Sequence, residues 1–259
     1  MSGAADPVDL LLDTPHGEAR WVIHPARDPV AVLALGHGAG NGVESRDLAA
    51  LAACLPEHDV TVALFEQPWR RRGAKVATPP PTLDVAFAAG VADLARHGSP
   101  DAHSDTHTDT HAGPAPGGPA AGLPGVPDAV PLLVGGRSAG ARSAARTARA
   151  VGAAGCVALA FPLHPPGRPE RSRLAELADA DVPLLVVQGE RDSMGRPEEF
   201  PDLLPGGLAY DLVTVPGADH GMAVARRGPL TQEEALDVVV EAVLEWVTRQ
   251  VVGNAPRRP

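Results

Sequence analysis

Aromatic residues are scarce in this chain of 259 residues: three Trp, four Phe and one Tyr make up 3% of it. The hydrophobic share is 44%, mostly Ala, Val and Leu, which supports a core of small aliphatic side chains. Positive charge is also short. The formal net charge of −10 argues against a nucleic-acid surface and otherwise bears on solubility. The two cysteines, Cys54 and Cys156, each lie in an apolar run. Both read as buried thiols, so a reducing, cytoplasmic compartment is expected. No basic stretch followed by an apolar one opens the sequence, so no secretory signal is expected. No apolar run reaches the ~18 residues a membrane span needs, so no membrane is expected as a partner.

What is present follows a repeating pattern. Val8 to Thr14 and Ala19 to His24 flank Pro15-His-Gly and read as a hairpin. Val30 to Gly36 is a continuous apolar run, the mark of a strand buried on both faces. Leu48, Leu51, Ala52 and Leu55 fall at helical spacing, and Val60 to Phe65 is the next strand. Thr82 to His97 reads as a helix with Val85, Ala88, Ala89 and Val91 facing inward. Further strands are expected at Ala129 to Val134, Gly155 to Phe161, Val182 to Gln188 and Tyr210 to Val215. A short helix is expected over Pro169 to Ala178. Thr231-Gln-Glu-Glu234 fits a capping box, opening a helix with Leu236, Val239, Val240, Val243, Leu244 and Val247 as its stripe. Alternating buried strands and helices imply an α/β class: a mostly parallel sheet with helices on both faces, one domain over 1–259.

Residues 98–127 break the pattern. They are poor in large apolar residues and rich in Pro, Gly, Asp and His, and read as a disordered surface insertion. His103, His107 and His111 recur every four residues, the spacing of a metal-binding helix face. Interleaved Thr and Asp with nearby prolines disfavour a helix, so a solvated loop is the preferred reading and no metal site is expected.

The chemistry centres on Pro131-Leu-Leu-Val-Gly-Gly-Arg-Ser-Ala-Gly-Ala-Arg142. Gly136, Ser138 and Gly140 fit G-x-S-x-G between a strand pattern and a helix pattern, the context of a nucleophile elbow. There a serine hydroxyl is pushed out at the end of the sheet. The following helix aims its N-terminal N–H groups at the place where negative charge develops.

In open α/β sheets, sites form at the carboxyl ends of the strands. Four distant segments then converge: His37-Gly-Ala-Gly40, Ser138, Asp192 and His220. A serine hydroxyl needs a base, an imidazole can serve, and a carboxylate must hold that imidazole's tautomer. Glu190 competes with Asp192 on the same turn. His37 reads as a residue that hydrogen-bonds to hold its loop. The oxyanion donors are expected at the N–H of Ala139 and at Gly38 or Ala39. Together with His37, the residues Trp69, Arg137 and His164 are substrate-side candidates. For Arg137 a salt bridge to a neighbouring acid is the alternative, and for His164 a structural role.

The chain resembles α/β-hydrolases from Val30 to Val251, most of all a compact bacterial branch near the dienelactone hydrolases. That branch is also similar to the hydrolase-like subunit of the animal non-specific-lethal histone acetyltransferase complex. The residues carrying the likeness are Gly36-His-Gly-Ala-Gly40, Phe65-Glu-Gln-Pro-Trp69, Gly135-Gly-Arg-Ser-Ala-Gly140, Phe161-Pro-Leu-His-Pro-Pro-Gly167, Gln188-Gly-Glu-Arg-Asp192 and Ala218-Asp-His220. The resemblance implies an α/β-hydrolase fold without a large cap domain, with Ser138 as nucleophile, Asp192 as acid and His220 as base. It implies hydrolysis of a small acyl substrate, an ester before an amide, with no cofactor. No protein partner is indicated. Two rival readings remain open: an acyltransferase using the same residues, and a non-catalytic interaction module on a hydrolase fold, as the animal relative suggests.

Overall fold

A computed structural model describes residues 6–97 and 130–254. Among these residues eight strands form one sheet: β1 (Val8–Thr14), β2 (Gly17–His24), β3 (Ala31–Gly36), β4 (Val60–Glu66), β5 (Leu132–Arg137), β6 (Cys156–Leu159), β7 (Leu184–Gly189) and β8 (Asp211–Val215). Their order is β1-β2-β4-β3-β5-β6-β7-β8. The hairpin β1–β2 joins β4 antiparallel, and every pairing from β4 through β3 to β8 is parallel. Parallel strands need crossovers that cover the faces, so β3, β4, β6 and β7 are buried along their whole length.

One face is covered by α1 (Arg46–Cys54) and α6 (Gln232–Asn254), packed on Leu33, Leu35, Val62 and Val187. The other carries α3 (Pro80–His97), α4 (Ala139–Thr147) and α5 (Leu174–Ala178). The scarce aromatics concentrate here. Trp21 and Phe65 have ring centroids 4.8 Å apart, and Phe87 meets Phe65 at 5.7 Å. A four-residue helix, α2 (Pro68–Arg71), follows β4. No large cap stands over the sheet among the described residues, and no helix there is long and apolar enough to cross a membrane.

Several sequence expectations shift by a face or a few residues. Helix α3 turns Leu83, Ala86, Phe87, Val91 and Leu94 inward and leaves Val85 44% exposed. Burying Phe and Leu removes more apolar area from water than burying Val and Ala, and only this rotation brings Phe87 to Phe65. In α6 the buried line is Ala235, Val239, Val243, Trp246 and Val247, while Leu236, Val240 and Leu244 flank it half-buried. The helix expected from Pro169 begins only at Leu174. Before it, Arg173 donates from its backbone N–H to Leu163 O at 2.7 Å and from its guanidinium to Pro162 O at 2.8 Å, which holds the chain on the β6 loop. Cys156 is buried in β6, and burial pushes its thiol pKa up to about 12. Cys54, expected inside, is exposed: as the last residue of α1 it falls on the face turned from the sheet. The 98–127 insertion and its three histidines lie outside the described residues.

Candidate active site

The parallel run places the carboxyl ends of β3, β5, β7 and β8 along one edge of the sheet. At the end of β5 the chain turns through Ser138, at φ 53° and ψ −111°. Positive φ is strained for a residue with a Cβ, typically by 1–3 kcal/mol, and persists only where the surroundings hold it. Here Ser138 N–H donates to Leu159 O at 2.9 Å, and Ser138 O accepts Arg142 N–H at 3.1 Å to start α4. The two elbow glycines allow a close backbone crossing. A Cβ on Gly136 would lie 2.4 Å from Gly36 O, and one on Gly140 only 2.2 Å from the same atom. The end of β3 therefore presses directly on the elbow.

Ser138 Oγ is 3.0 Å from His220 Nε2, and His220 Nδ1 is 2.8 Å from Asp192 Oδ2. Asp192 is fully buried. Its Oδ1 accepts Met194 N–H at 2.8 Å, and Oδ2 also accepts the side-chain amide of Gln188 at 2.9 Å. Ionised, the carboxylate is an acceptor only, so His220 carries its proton on Nδ1 and leaves Nε2 to accept from the serine hydroxyl. Glu190 faces elsewhere: its carboxylate accepts Gly217 N–H at 2.6 Å.

Facing the elbow, the loop after β3 is held by His37. Its Nδ1–H donates to Gly38 O at 2.7 Å, and its Nε2 accepts Gln67 N–H at 3.1 Å. Burial lowers its pKa, and the Gln67 bond needs an unprotonated Nε2, so His37 stays neutral. Gly38 and Ala39 then lie opposite Ala139, whose N–H belongs to the unpaired first turn of α4. A cavity of about 10 Å³ opens between Ala39, Ala139, Trp69 and Leu83. Its size suits one water molecule or methyl group.

Solved structures share this fold. An α/β serine hydrolase homologue from Coxiella burnetii superposes with a TM-score of 0.63 at 16% identity, over 93% of this chain and 99% of that one. A Xanthomonas campestris α/β serine hydrolase described as lacking a lid gives 0.61 at 18% identity, over 95% and 97%. A dienelactone hydrolase from Anabaena variabilis gives 0.62 at 15% identity, over 95% and 99%. Comparison with curated proteins finds no match. The family model of the alpha/beta hydrolase domain matches residues 121–248, from before β5 into α6. The chain has the α/β-hydrolase fold.

Within this fold the remaining candidates take structural contacts. Arg137 is 5% exposed, and its Nε lies 3.1 Å from a carboxylate oxygen of the fully buried Asp47. Of its two sequence readings, the salt bridge to a neighbouring acid is the one the structure contains. His164 is buried, with Nδ1 on Pro165 O and Nε2 on Glu199, both at 2.9 Å. Both partners are acceptors, so both bonds form together only with the protonated ring. Trp69 packs on His37 with ring centroids 5.6 Å apart and walls the small cavity. The Arg70-Arg-Arg72 run is bound in part to the β1–β2 hairpin, Arg71 to Glu18 at 2.6 Å and Arg72 to His16 O at 2.7 Å. Among the described residues no group of three or more His, Cys, Asp or Glu is placed to hold a metal ion.

Sequence reasoning assigned no role to two residues here. Gln188 is the penultimate residue of β7, and its amide reaches Asp192, Gly195 O at 2.7 Å and Phe161 O at 3.2 Å. The signal was a polar residue closing a continuous apolar strand. Asp47 gave no signal, because an acid in a helix's first turn is ordinary.

Proposed function

We propose that this chain is a serine hydrolase that cleaves an ester-like acyl bond through a covalent acyl-enzyme. One observation carries the reading: Ser138, His220 and Asp192, from three strand ends, form a continuous hydrogen-bonded line at 3.0 and 2.8 Å. Ser138 Oγ attacks the carbonyl carbon while His220 Nε2 takes its proton. The C=O electron pair moves onto oxygen, and the N–H groups of Ala139 and of Gly38 or Ala39 hold the oxyanion. Collapse expels the alcohol oxygen, which receives the proton from His220. Water then repeats the sequence on the acyl-serine and releases the acid. Asp192, fixed by Gln188 and Met194, keeps the imidazole oriented and stabilises its cation. No step uses a metal or organic cofactor. The likeness to a dienelactone hydrolase supports an ester before an amide.

The test is labelling with a fluorophosphonate probe, followed by a panel of acyl esters. The wild type should label and turn over esters. Ser138→Ala should lose the label and on the order of 10³-fold or more in rate, because triad members act as a unit. Equal labelling of the alanine variant would place the nucleophile elsewhere.

A further inference from the structure

Arg137 sits immediately before Ser138 at the end of β5, yet its guanidinium reaches neither solvent nor the cavity. It points back into a small polar island beneath the site. Nη2 donates to the backbone carbonyl of His220 at 2.6 Å. Nε faces Asp47 Oδ2 at 3.1 Å, an ion pair rather than a well-aligned hydrogen bond. The other oxygen of Asp47 accepts Leu48 N–H at 3.0 Å. Gly38 lies directly over the guanidinium: a Cβ there would be 2.8 Å from Nη1. One side chain thus touches the elbow, the loop of Gly38 and the loop of His220, and its counter-ion comes from a fourth element, α1.

Burying a charge pair is thermodynamically unrewarding, since desolvation cancels most of the attraction and an apolar pair of like volume packs as well. Stability alone therefore gives little reason for it. Geometry gives one. Asp192 fixes the direction of the imidazole from Nδ1, but nothing in that bond fixes how far the loop at 220 stands from β5. The Arg137 bond to His220 O does, and it runs from the neighbour of the nucleophile. We propose that Arg137 and Asp47 are positioning residues for the proposed triad: Arg137 sets the distance between His220 and Ser138, and Asp47 holds the guanidinium aimed. The inference rests on the hydrolase reading.

The test replaces both charges together, Arg137→Met with Asp47→Leu, because removing either alone leaves a buried unpaired charge. Measured are thermal unfolding, steady-state kinetics on the best ester of the panel, and the rate of fluorophosphonate labelling. The double variant should keep its melting temperature within a few degrees. It should lose about 10- to 100-fold in kcat, the range that a misplaced catalytic group costs. KM should stay within about threefold, and labelling should slow in step with kcat. A folded double variant that labels and turns over within about twofold of wild type overturns the inference and leaves the hydrolase reading intact. If the double variant does not fold, Arg137→Lys replaces it with the same criteria, since one ammonium cannot reproduce the planar fork. A wild type that neither labels nor hydrolyses any ester defeats the hydrolase reading itself, and the inference with it.

Discussion

Asp192 lies 2.8 Å from His220 Nδ1, although Glu190 leaves the same strand end two residues earlier and carries the same charge. The turn separates them. Glu190 N–H pairs with Val215 O at 3.0 Å and its carboxylate with Gly217 N–H, so it stays along β8. Asp192 N–H closes the turn onto Gly189 O at 3.1 Å, and its side chain swings inward beneath the imidazole.

This difference is measurable. Asp192→Asn keeps the shape but favours the wrong imidazole tautomer, and should cut turnover by up to ~10⁴-fold. Glu190→Gln should cost no more than a few-fold, because an amide oxygen can still accept from Gly217. Steady-state kinetics of the two variants decide the matter. A crippled Glu190→Gln beside a near-normal Asp192→Asn would reverse the assignment.

The pair of buried His164 with exposed Glu199 should make stability depend on pH. The Pro165 carbonyl, and with it Glu199, raises the His164 pKa above its ordinary value of about 6.5. The N–H of Arg196, and with it His164, lowers that of Glu199. A raised imidazole stabilises the fold fully below its unfolded pKa, and this contribution is lost as pH rises through the folded value. A lowered carboxyl contributes above its unfolded pKa and loses this as pH falls through its folded value. Arg173, the charged neighbour that opposes the imidazolium, keeps its charge throughout. His164→Gln should therefore cost most in melting temperature between about pH 5 and 6, and much less at pH 9. A melting-temperature difference that is constant from pH 5 to 9 would show that the imidazole charge is not involved.

Gly140→Ala should be among the most damaging small changes. The added methyl would sit 2.2 Å from Gly36 O, backbone against backbone, with no flexible side chain to yield. A loss of about 3 kcal/mol in urea unfolding is expected. Gly40→Ala, where a Cβ meets nothing within 4 Å, is the control and should fall within about 0.5 kcal/mol. Equal effects at the two positions would show that the crossing of β3 and the elbow is not tight.

The sequence by itself determined the fold class and the order of chemistry along the chain. Continuous apolar runs closed by Gly-rich turns and alternating with helical patterns read as parallel strands, and a parallel sheet brings their carboxyl ends to one edge. That Ser138, Asp192 and His220 meet at one edge was legible for that reason, since each follows such a run. Sequence order alone could not separate Glu190 from Asp192; Asp192 was the expected partner, and the hydrogen bonds of the turn bring it, rather than Glu190, to His220. Helix faces were misjudged where the apolar residues are small. In α3, Ala and Val give a weak periodic signal, and the rotation is decided by the fit of Phe87 against Phe65 and Trp21. For Arg137 a substrate contact and a salt bridge both stood open in the sequence, and for His164 a place on the site rim and a structural role. Tertiary structure turned both inward, onto Asp47 from α1 and Glu199 from the loop after β7. A charged group at a strand end can face either solvent or the interior, and the choice belongs to a partner far away in sequence.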